Sequence, residues 1–396
     1  MTTRSEHASD ETLSPDELGL PAHACLPFRL TAANAWSPLV ISLPHVGLAW
    51  PHELGPQPPT DFGRNADYAV DSLYGDAARR GAVAIQAEYS RLVVDLNRAA
   101  DDISASVVPD HPDPRPRRRP GVPVAATVDH DAPPPRPGRG VVWTHALDNV
   151  PLHRGPLAYA ALCERIARFH EPYHRALEIL LARRRARFGY AILLDAHSMP
   201  CSVGVDLVVG SLCGRACGAA VERMALDALD AARGPAGEGA PRLSVRLNDP
   251  YLGGELVRRF GRPAEGIHAL QLEVSRALYM DERTLTLWQL PASHDDTRAT
   301  ARPPTSASHT GAGERAIDDN GARGRYPKTA TPPSARQLAD FAELRRRVSC
   351  LIRALSEPVA ATLLDDPRHR TRTSSGTSCG SSRATATGHP KLRARL

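Results

Sequence analysis

Short runs of apolar residues, each ended by polar or turn-forming residues, recur along the first 285 residues of the chain. The clearest run, Leu39–Leu43, contains two β-branched residues and stops at Pro44, a pattern that predicts a buried strand. Similar runs predict further strands at residues 83–87, 92–96, 190–195, 205–209, 243–247 and 267–274.

Helical periodicity separates many of these strands. Apolar residues spaced three and four apart predict helices at residues 67–80, 156–188, 215–232 and 334–364, the second of them interrupted by Pro172. Strands that alternate with helices are typical of a mostly parallel or mixed sheet that is covered on both faces. The chain is therefore predicted to form an α/β fold, a three-layer sandwich whose functional site lies at the carboxyl ends of the strands.

Segments rich in polar residues, Pro or Gly interrupt this pattern, and they cannot bury enough apolar surface to form a core. One large domain is expected over residues 27–290, with a C-terminal helix at residues 335–364 packed on it. The other segments are predicted to be a disordered arm at residues 1–26, a Pro- and Arg-rich insertion at 111–140, a disordered insertion at 291–334 and a disordered tail at 365–396.

Composition and charge narrow the functional class. The net charge is +5, but the basic residues form runs without interleaved aromatic residues, so no nucleic-acid partner is predicted. Seven cysteines without paired CxxC motifs indicate reduced thiols. The polar N-terminal sequence has neither a signal-peptide pattern nor a membrane span, so we expect a cytoplasmic protein without a membrane partner, and the sequence leaves the oligomeric state open.

Two histidines stand at the ends of predicted strands. His45 follows the first strand in a turn bounded by Pro and Gly, and His197 follows the strand predicted at residues 190–195. Imidazole nitrogens bind zinc, and hydrolytic zinc sites usually have three protein ligands and one open position. Asp67 is the preferred third ligand and Asp71 its substitute. Asp67 could equally cap its predicted helix, and each histidine alone could be an ordinary loop residue.

Two acidic residues could assist these histidines. Asp195 could orient the His197 imidazole, as carboxylates do beside metal-bound histidines, or could be a simple turn residue. Glu273 interrupts an apolar run, where an unpaired charge would be costly to bury. It is interpreted as a general base that takes a proton from water; the alternative is an ion pair with Arg276 or Arg98.

Two further stretches are interpreted as substrate-binding segments. Asn97 and Arg98 end a predicted strand, where an arginine can hold a carboxylate through two hydrogen bonds. In the turn at residues 248–254, Gly253 and Gly254 allow a close backbone approach and Tyr251 offers a hydroxyl. An exposed arginine and a plain turn before a helix are the alternatives.

Nine segments occur in one order across residues 38–285: LVISLPHVG, DYAVDSLY, SRLVVDLNR, GVVWTHALD, HEPYHRAL, ILLDAHSMP, VDLVVGSLCG, NDPYLGG and HALQLEVSRALYMDE. Each is weak alone, but the nine in this order resemble the N-formylglutamate amidohydrolase family. The resemblance implies a phosphorylase/hydrolase-like architecture, similar to that of zinc carboxypeptidases. By analogy with murein amidases, it places metal ligands at His45, Asp67 and His197 and the catalytic residue at Glu273.

The resemblance also implies an activity: hydrolysis of the amide bond of N-formyl-L-glutamate, or of a closely related N-acyl amino acid, in histidine degradation. The expected cofactor is a divalent metal, zinc in the first instance, and the expected partner is a small acidic N-acyl amino acid. Asn97, Arg98, Arg276 and Tyr251 would hold its carboxylates. Two alternatives remain, an amidase acting on other N-acyl amino acids or on peptidoglycan peptides, and an inactive binding protein with the same fold.

Overall fold

A seven-stranded sheet lies at the centre of the structure, a computed structural model that describes residues 11–33, 35–103, 107–112, 139–230, 243–289 and 332–359. Its strands are β1 (Phe28–Thr31), β2 (Leu39–Leu43), β3 (Val83–Ala87), β4 (Ala191–Met199), β5 (Leu207–Gly210), β6 (Val245–Leu247) and β7 (Ile267–Ser275). Their spatial order is β1-β3-β2-β4-β7-β5-β6. A separate ribbon pairs β8 (Met280–Asp281) with β9 (Thr286–Leu287).

The four central strands, β3, β2, β4 and β7, run parallel to one another. On one side β1 is antiparallel to β3, and on the other β5 is antiparallel to β7 and parallel to β6. β4 and β7 pair over nine residues each, from Ala191 opposite Ile267 to Met199 opposite Ser275. Every residue of these two strands is buried, as expected for a sheet that is covered on both faces.

Helices cover both faces of this sheet. They are α1 (Phe62–Asn65), α2 (Tyr159–Arg165), α3 (Glu171–Phe188), α4 (Ala219–Asp230), α5 (Glu255–Phe260) and α6 (Ala335–Ser356). Side chains of α2, α3 and α5 join one hydrophobic core, and those of α4 and α6 join the other. Because strand side chains alternate, Leu39 and Ile41 face the α4 side and Val40 faces the α3 side. The predicted three-layer α/β fold is confirmed.

The helix predicted at residues 67–80 is wrong. The segment forms short 3-10 turns, the first at Val70–Tyr74, and Ala69 before it has a positive φ of 56°. Val70, Leu73 and Ala77 are buried, so the helical spacing of the apolar residues reflects their burial and not a continuous helix. Asp67 at the start of the segment donates its backbone N–H to the carbonyl oxygen of His45 (2.9 Å), which ties it to the loop after β2.

The strand predicted at residues 92–96 is also wrong. The segment lies in successive turns, in which Val93 N–H donates to the Ser90 carbonyl (2.9 Å) and Arg98 N–H to the Asp95 carbonyl (3.2 Å). Its leucines and valines are buried, and this burial explains the apolar run without strand pairing.

The strand predicted at residues 190–195 is present but longer. β4 continues to Met199 because β7 pairs with it along its whole length. His197 therefore lies within the carboxyl half of a strand and not in the loop after it. A strand holds the imidazole in a more defined direction than a loop would.

The helix predicted at residues 156–188 is present from Tyr159 onward and contains a π-helical segment at Ile166–His170. Pro172 is the second residue of α3, two positions after this segment ends. A proline has no N–H to donate to the carbonyl four residues before it, as an α-helix requires. A wider π-helical turn next to the proline accommodates this missing hydrogen bond. The predicted interruption is thus a local change of helix type.

Residues 11–26, predicted to belong to a disordered arm, pack on the domain. Leu13, Leu18 and Leu20 are buried in the same core as α3. The buried Glu11 carboxylate forms an ion pair with Arg184 of α3. Isolated leucines produce no periodicity, which is why the sequence indicated disorder here.

The C-terminal helix is shorter than predicted. A capping box at Ser334 starts α6, and the helix ends at Ser356, two residues before Pro358. Residues 1–10, most of the segments 111–140 and 291–334, and the tail at 365–396 lie outside the described residues. None of the helices in the described part of the chain is long and apolar enough to cross a membrane.

Candidate metal centre

The carboxyl ends of β2, β4 and β7 bring polar side chains together on the α3 face of the sheet. Ser42 lies opposite Asp195, Asp195 opposite Gln271, and His197 opposite Glu273. On this face, the positions nearer the start of β4 and β7 are apolar core residues. Since neighbouring strands lie about 4.8 Å apart, the change from apolar to polar residues creates a compact polar cluster at one end of the sheet.

His45, Asp67 and His197 direct one atom each towards a common point. His197 Nδ1 lies 2.8 Å from Asp67 Oδ2 and 3.2 Å from His45 Nδ1. His45 Nδ1 lies 3.4 Å from the same carboxylate oxygen. Two ligand atoms about 2.0–2.1 Å from a tetrahedral zinc ion lie about 3.3 Å apart, so these separations fit a single cation. All three side chains are buried, and Asp71 is not part of the group.

The remaining ring nitrogens of the two histidines contact carboxylates. His45 Nε2 lies 2.7 Å from Asp95 Oδ1, and His197 Nε2 lies 2.8 Å from Asp195 Oδ2. When both Nε2 atoms donate their protons to these carboxylates, each Nδ1 carries a lone pair. The two Nδ1 lone pairs and the Asp67 carboxylate oxygen then point to one place, and these three atoms are of the kind that bind a metal cation. The contact expected between Asp195 and His197 is present.

Electrostatics favour positive charge at this point. Burial opposes the charged form of His197, but Asp195 and Asp67 raise its pKa well above the ordinary value. Burial likewise opposes ionisation of Asp67, but hydrogen bonds with His197 and His45 hold its pKa well below the ordinary value. The carboxylates of Asp67 and Asp195 therefore favour positive charge at the position of His197.

Asp95 is a site residue that the sequence interpretation missed. Burial would raise its pKa, but Arg91 and His45 hold that pKa well below the ordinary value. Besides His45, its carboxylate accepts hydrogen bonds from the Asn97 backbone N–H (3.0 Å), Arg91 Nη2 (2.7 Å) and Trp143 Nε1 (3.1 Å). The sequence feature that could have identified Asp95 is its position inside an apolar run, because an acid buried there needs hydrogen-bond or charged partners.

Glu273 lies beside the three-atom cluster, opposite His197 on the neighbouring strand. Gln271 Nε2 donates a hydrogen bond to Glu273 Oε1 (2.8 Å), a role for Gln271 that the sequence did not indicate. Burial, with the charges of Asp67 and Asp195, raises the pKa of Glu273 to about 7 although His197 opposes the shift. A carboxyl with such a pKa exchanges protons readily near neutrality.

The alternative role of Glu273, an ion pair with Arg276 or Arg98, is absent from the described residues. Arg276 pairs with Glu282 (3.5 Å) and approaches Asp67 (3.7 Å), and Arg98 lies 4.0 Å from Asp102.

Arg276 connects the cluster to a neighbouring cavity. Its Nη2 donates to the Ala66 carbonyl (2.6 Å) and its Nε to Ser198 Oγ (3.2 Å). The cavity has a volume of about 590 Å³. Its lining includes Arg64, Cys201, Arg276, Glu282, Arg283 and Trp288. A guanidinium that is fixed on one side and borders a cavity on the other is suited to hold an anionic group.

Asn97 is buried within the site. Its Nδ2 lies 3.2 Å from Asp195 Oδ2 and 3.1 Å from His197 Nε2, and its Oδ1 accepts from the Leu256 N–H (2.9 Å). A Cβ atom at Gly254 would overlap the Asn97 side chain. Gly254 therefore permits a close approach to Asn97, and the predicted approach of Gly254 to a ligand stays a prediction.

The structure describes the surroundings of three further predicted substrate-binding residues, Arg98, Tyr251 and Gly253. Arg98 donates from Nε to the Arg139 carbonyl (3.2 Å) and from Nη1 to the Asn97 carbonyl (3.1 Å). Tyr251 packs against a small apolar cluster around Val208. Gly253 has φ of 125°, which side-chain-bearing residues rarely adopt. A direct substrate contact of these three residues stays a prediction.

Known proteins similar to this chain include two bacterial enzymes. The N-formylglutamate deformylase of Pseudomonas aeruginosa is 32% identical over 263 residues, which cover 62% of this chain and 83% of that protein. The N-formylglutamate deformylase of Pseudomonas putida is 31% identical over 259 residues, which cover 62% and 82% respectively.

A solved structure shows the same fold. It is that of N-formylglutamate amidohydrolase from Ralstonia eutropha JMP134, with a TM-score of 0.59 and 24% identity over 84% of this chain and 98% of that one. A family model described as N-formylglutamate amidohydrolase matches residues 37–280, more than half of the chain. His45, Asp67, His197 and Glu273 all lie within the matched range. The chain therefore belongs to the N-formylglutamate amidohydrolase family.

Proposed function

We propose that the chain is a metal-dependent amidohydrolase that converts N-formyl-L-glutamate to L-glutamate and formate at the end of histidine degradation. The observation that carries the proposal is the convergence of His45 Nδ1, His197 Nδ1 and Asp67 Oδ2, at separations of 2.8–3.4 Å, with Glu273 beside them. Family membership and the names of the two deformylase relatives support the choice of substrate.

His45, Asp67 and His197 would hold the metal. Two imidazole nitrogens and one carboxylate oxygen are a donor set found at catalytic zinc sites, where a fourth position stays open. The chemistry that zinc supplies at such a site is polarisation of a carbonyl and a lower pKa of water. Asp95 and Asp195 keep both imidazoles in the tautomer that this binding requires.

Glu273 acts as the general base in this proposal. Gln271 holds Oε1, while Oε2 has no hydrogen-bond partner among the described residues and can accept a proton from the attacking water. The water oxygen forms a bond to the formyl carbon as Glu273 takes this proton. When the carbon–nitrogen bond breaks, Glu273 returns the proton to the departing amine nitrogen. The products are formate, which contains the water oxygen, and L-glutamate, whose amine nitrogen has received the proton.

Arg276 is proposed to bind a substrate carboxylate. It lies next to Asp67 and borders the 590 Å³ cavity, whose lining also contains Arg64 and Arg283. A substrate with two carboxylates suits a cavity with several arginines, since guanidinium groups hold carboxylates through paired hydrogen bonds.

Arg276→Lys should raise KM for N-formylglutamate by about 10- to 100-fold, because a lysine keeps the charge but loses paired hydrogen bonds worth about 1.5–3 kcal/mol. The value of kcat should change less. Steady-state kinetics of formate release measure both. Arg262→Lys, which alters an exposed arginine paired with Glu265, is the control and should keep the wild-type KM. An unchanged KM in Arg276→Lys would remove Arg276 from the substrate site.

A panel of substrates tests the proposed function. N-formylglutamate should be hydrolysed with a higher kcat/KM than N-acetylglutamate, N-formylglutamine or a peptidoglycan stem peptide. Faster hydrolysis of one of the other compounds would reassign the substrate within the same chemistry. Stoichiometric metal without turnover of any of them would support a binding protein with this fold.

A further inference from the structure

We propose that His170 and His174 are positioning residues for both metal-binding histidines and that they act through the turn Asp95–Arg98. The inference rests on the metal centre proposed above. It assigns a role to the HEPYH segment, to which the proposed reaction assigns none.

One tight turn is linked to both metal-binding imidazoles, to His45 through Asp95 and to His197 through Asn97 and Asp195. The Arg98 N–H closes the turn on the Asp95 carbonyl (3.2 Å). Asp95 accepts from His45 Nε2. Asn97 donates from Nδ2 to Asp195 Oδ2, the oxygen that also accepts from His197 Nε2. A displacement of this turn would therefore reorient both metal-binding rings.

His170 and His174 hold the two backbone carbonyls that flank Asn97. His174 Nε2 donates to the Leu96 carbonyl (2.9 Å), and His170 Nε2 donates to the Arg98 carbonyl (2.8 Å). The two imidazoles stack, with centroids 4.0 Å apart and planes 18° from parallel. Both residues are buried, so water does not compete for these bonds. The stacked pair thus fixes the turn on both sides of Asn97.

The backbone of the turn needs these donors. In a strand, the carbonyls would be satisfied by the neighbouring strand, but residues 92–98 form no strand. Buried carbonyls outside regular structure require side-chain or water partners. His170 also ends the π-helical segment, a distortion that often accompanies functional sites.

Tyr173, between the two histidines, anchors the same helix to the sheet. Its hydroxyl donates to the Ile85 carbonyl of β3 (3.2 Å) and lies 3.0 Å from Ser42 Oγ of β2. β2 leads directly to His45. The helix therefore fixes the turn relative to the strand that leads to His45, the first metal-binding histidine.

A histidine at position 174 carries a structural cost. Its Nδ1 is buried without a partner in the part of the chain that the structure describes. Burial and the neighbouring His170 lower its pKa well below the ordinary value, so the ring is neutral with its proton on Nε2. A leucine at this position would fill similar space and would bury no unpaired nitrogen. What the histidine provides instead is the hydrogen bond from Nε2 to the Leu96 carbonyl.

The test compares His174→Leu and His170→Leu with the wild-type protein by two measurements. Zinc Kd is measured by competition with a chromophoric chelator. Amide hydrogen exchange of peptides covering residues 92–98 is measured on metal-free protein. In each variant we expect the Kd to rise roughly tenfold, the low end for residues that orient metal ligands, and exchange to become faster. His174→Gln, which can still donate to Leu96, should recover most of the affinity.

Leu180→Ala is the matched control, because Leu180 is buried on α3 and has no bond to the turn. It should leave the zinc Kd and the exchange of residues 92–98 unchanged. If His170→Leu and His174→Leu leave the exchange of residues 92–98 unchanged, the inference is overturned. Faster exchange with an unchanged zinc Kd would also overturn it. If His174→Leu does not fold, His170→Leu decides. A wild-type protein that binds no zinc would contradict the metal centre, while the exchange data would still report whether the pair holds the turn.

Discussion

Glu273→Gln should lower kcat for N-formylglutamate hydrolysis by about 10²–10⁴-fold, the usual contribution of a general base. Glutamine keeps the size of the side chain and its bond to Gln271 but cannot take a proton from water. Bound metal should stay at the wild-type level, because Glu273 is not one of the three converging ligands. Formate release and elemental analysis measure the two quantities.

Glu265→Gln is the control for this substitution. Glu265 is an exposed acid paired with Arg262, and its replacement should alter neither quantity. Wild-type turnover in Glu273→Gln would show that another group is the base. A loss of metal in step with activity would show instead that Glu273 belongs to the ligand set.

His197→Ala should remove both metal and activity. The substitution deletes one of the three proposed metal ligands and leaves Asp67 and Asp195 without their shared partner. A metal contributes several kcal/mol of transition-state stabilisation, which corresponds to a loss of roughly 10³-fold or more in kcat/KM. Elemental analysis and steady-state kinetics check the prediction.

His52→Ala is the matched histidine substitution, since the His52 side chain is exposed and its ring pairs with Glu53. It should retain wild-type metal and activity. Full metal occupancy in His197→Ala would contradict the assigned ligand set.

Much of the sheet could be predicted from local sequence. β2 and β7 are continuous apolar runs with clear ends, and a Pro and a Gly mark the turn that holds His45. These features depend on neighbouring residues, and local sequence therefore contains them. The position of Glu273 opposite His197 is different, because it depends on the register between β4 and β7.

Other features depend on contacts that local sequence does not contain. Asp67 could be a cap or a ligand, and only the absence of a helix at residues 67–80, together with its hydrogen bond to the His45 loop, separates the two. Asp95 lies in a run whose burial suits a strand or a turn equally well, and its partner His45 is 50 residues away. Asn97 ends a run that predicts a strand, whereas the chain forms a buried turn there, and a contact of Asn97 with the substrate stays a prediction.

The most direct test of the proposed metal-dependent deformylase combines metal quantification with a formate-release assay on one preparation. We expect one divalent ion per chain, matching the single cluster among the described residues, and turnover of N-formylglutamate. Chelation should remove both metal and activity, and added zinc should restore both. Formate release at the wild-type rate after complete removal of metal would contradict the proposed metal dependence.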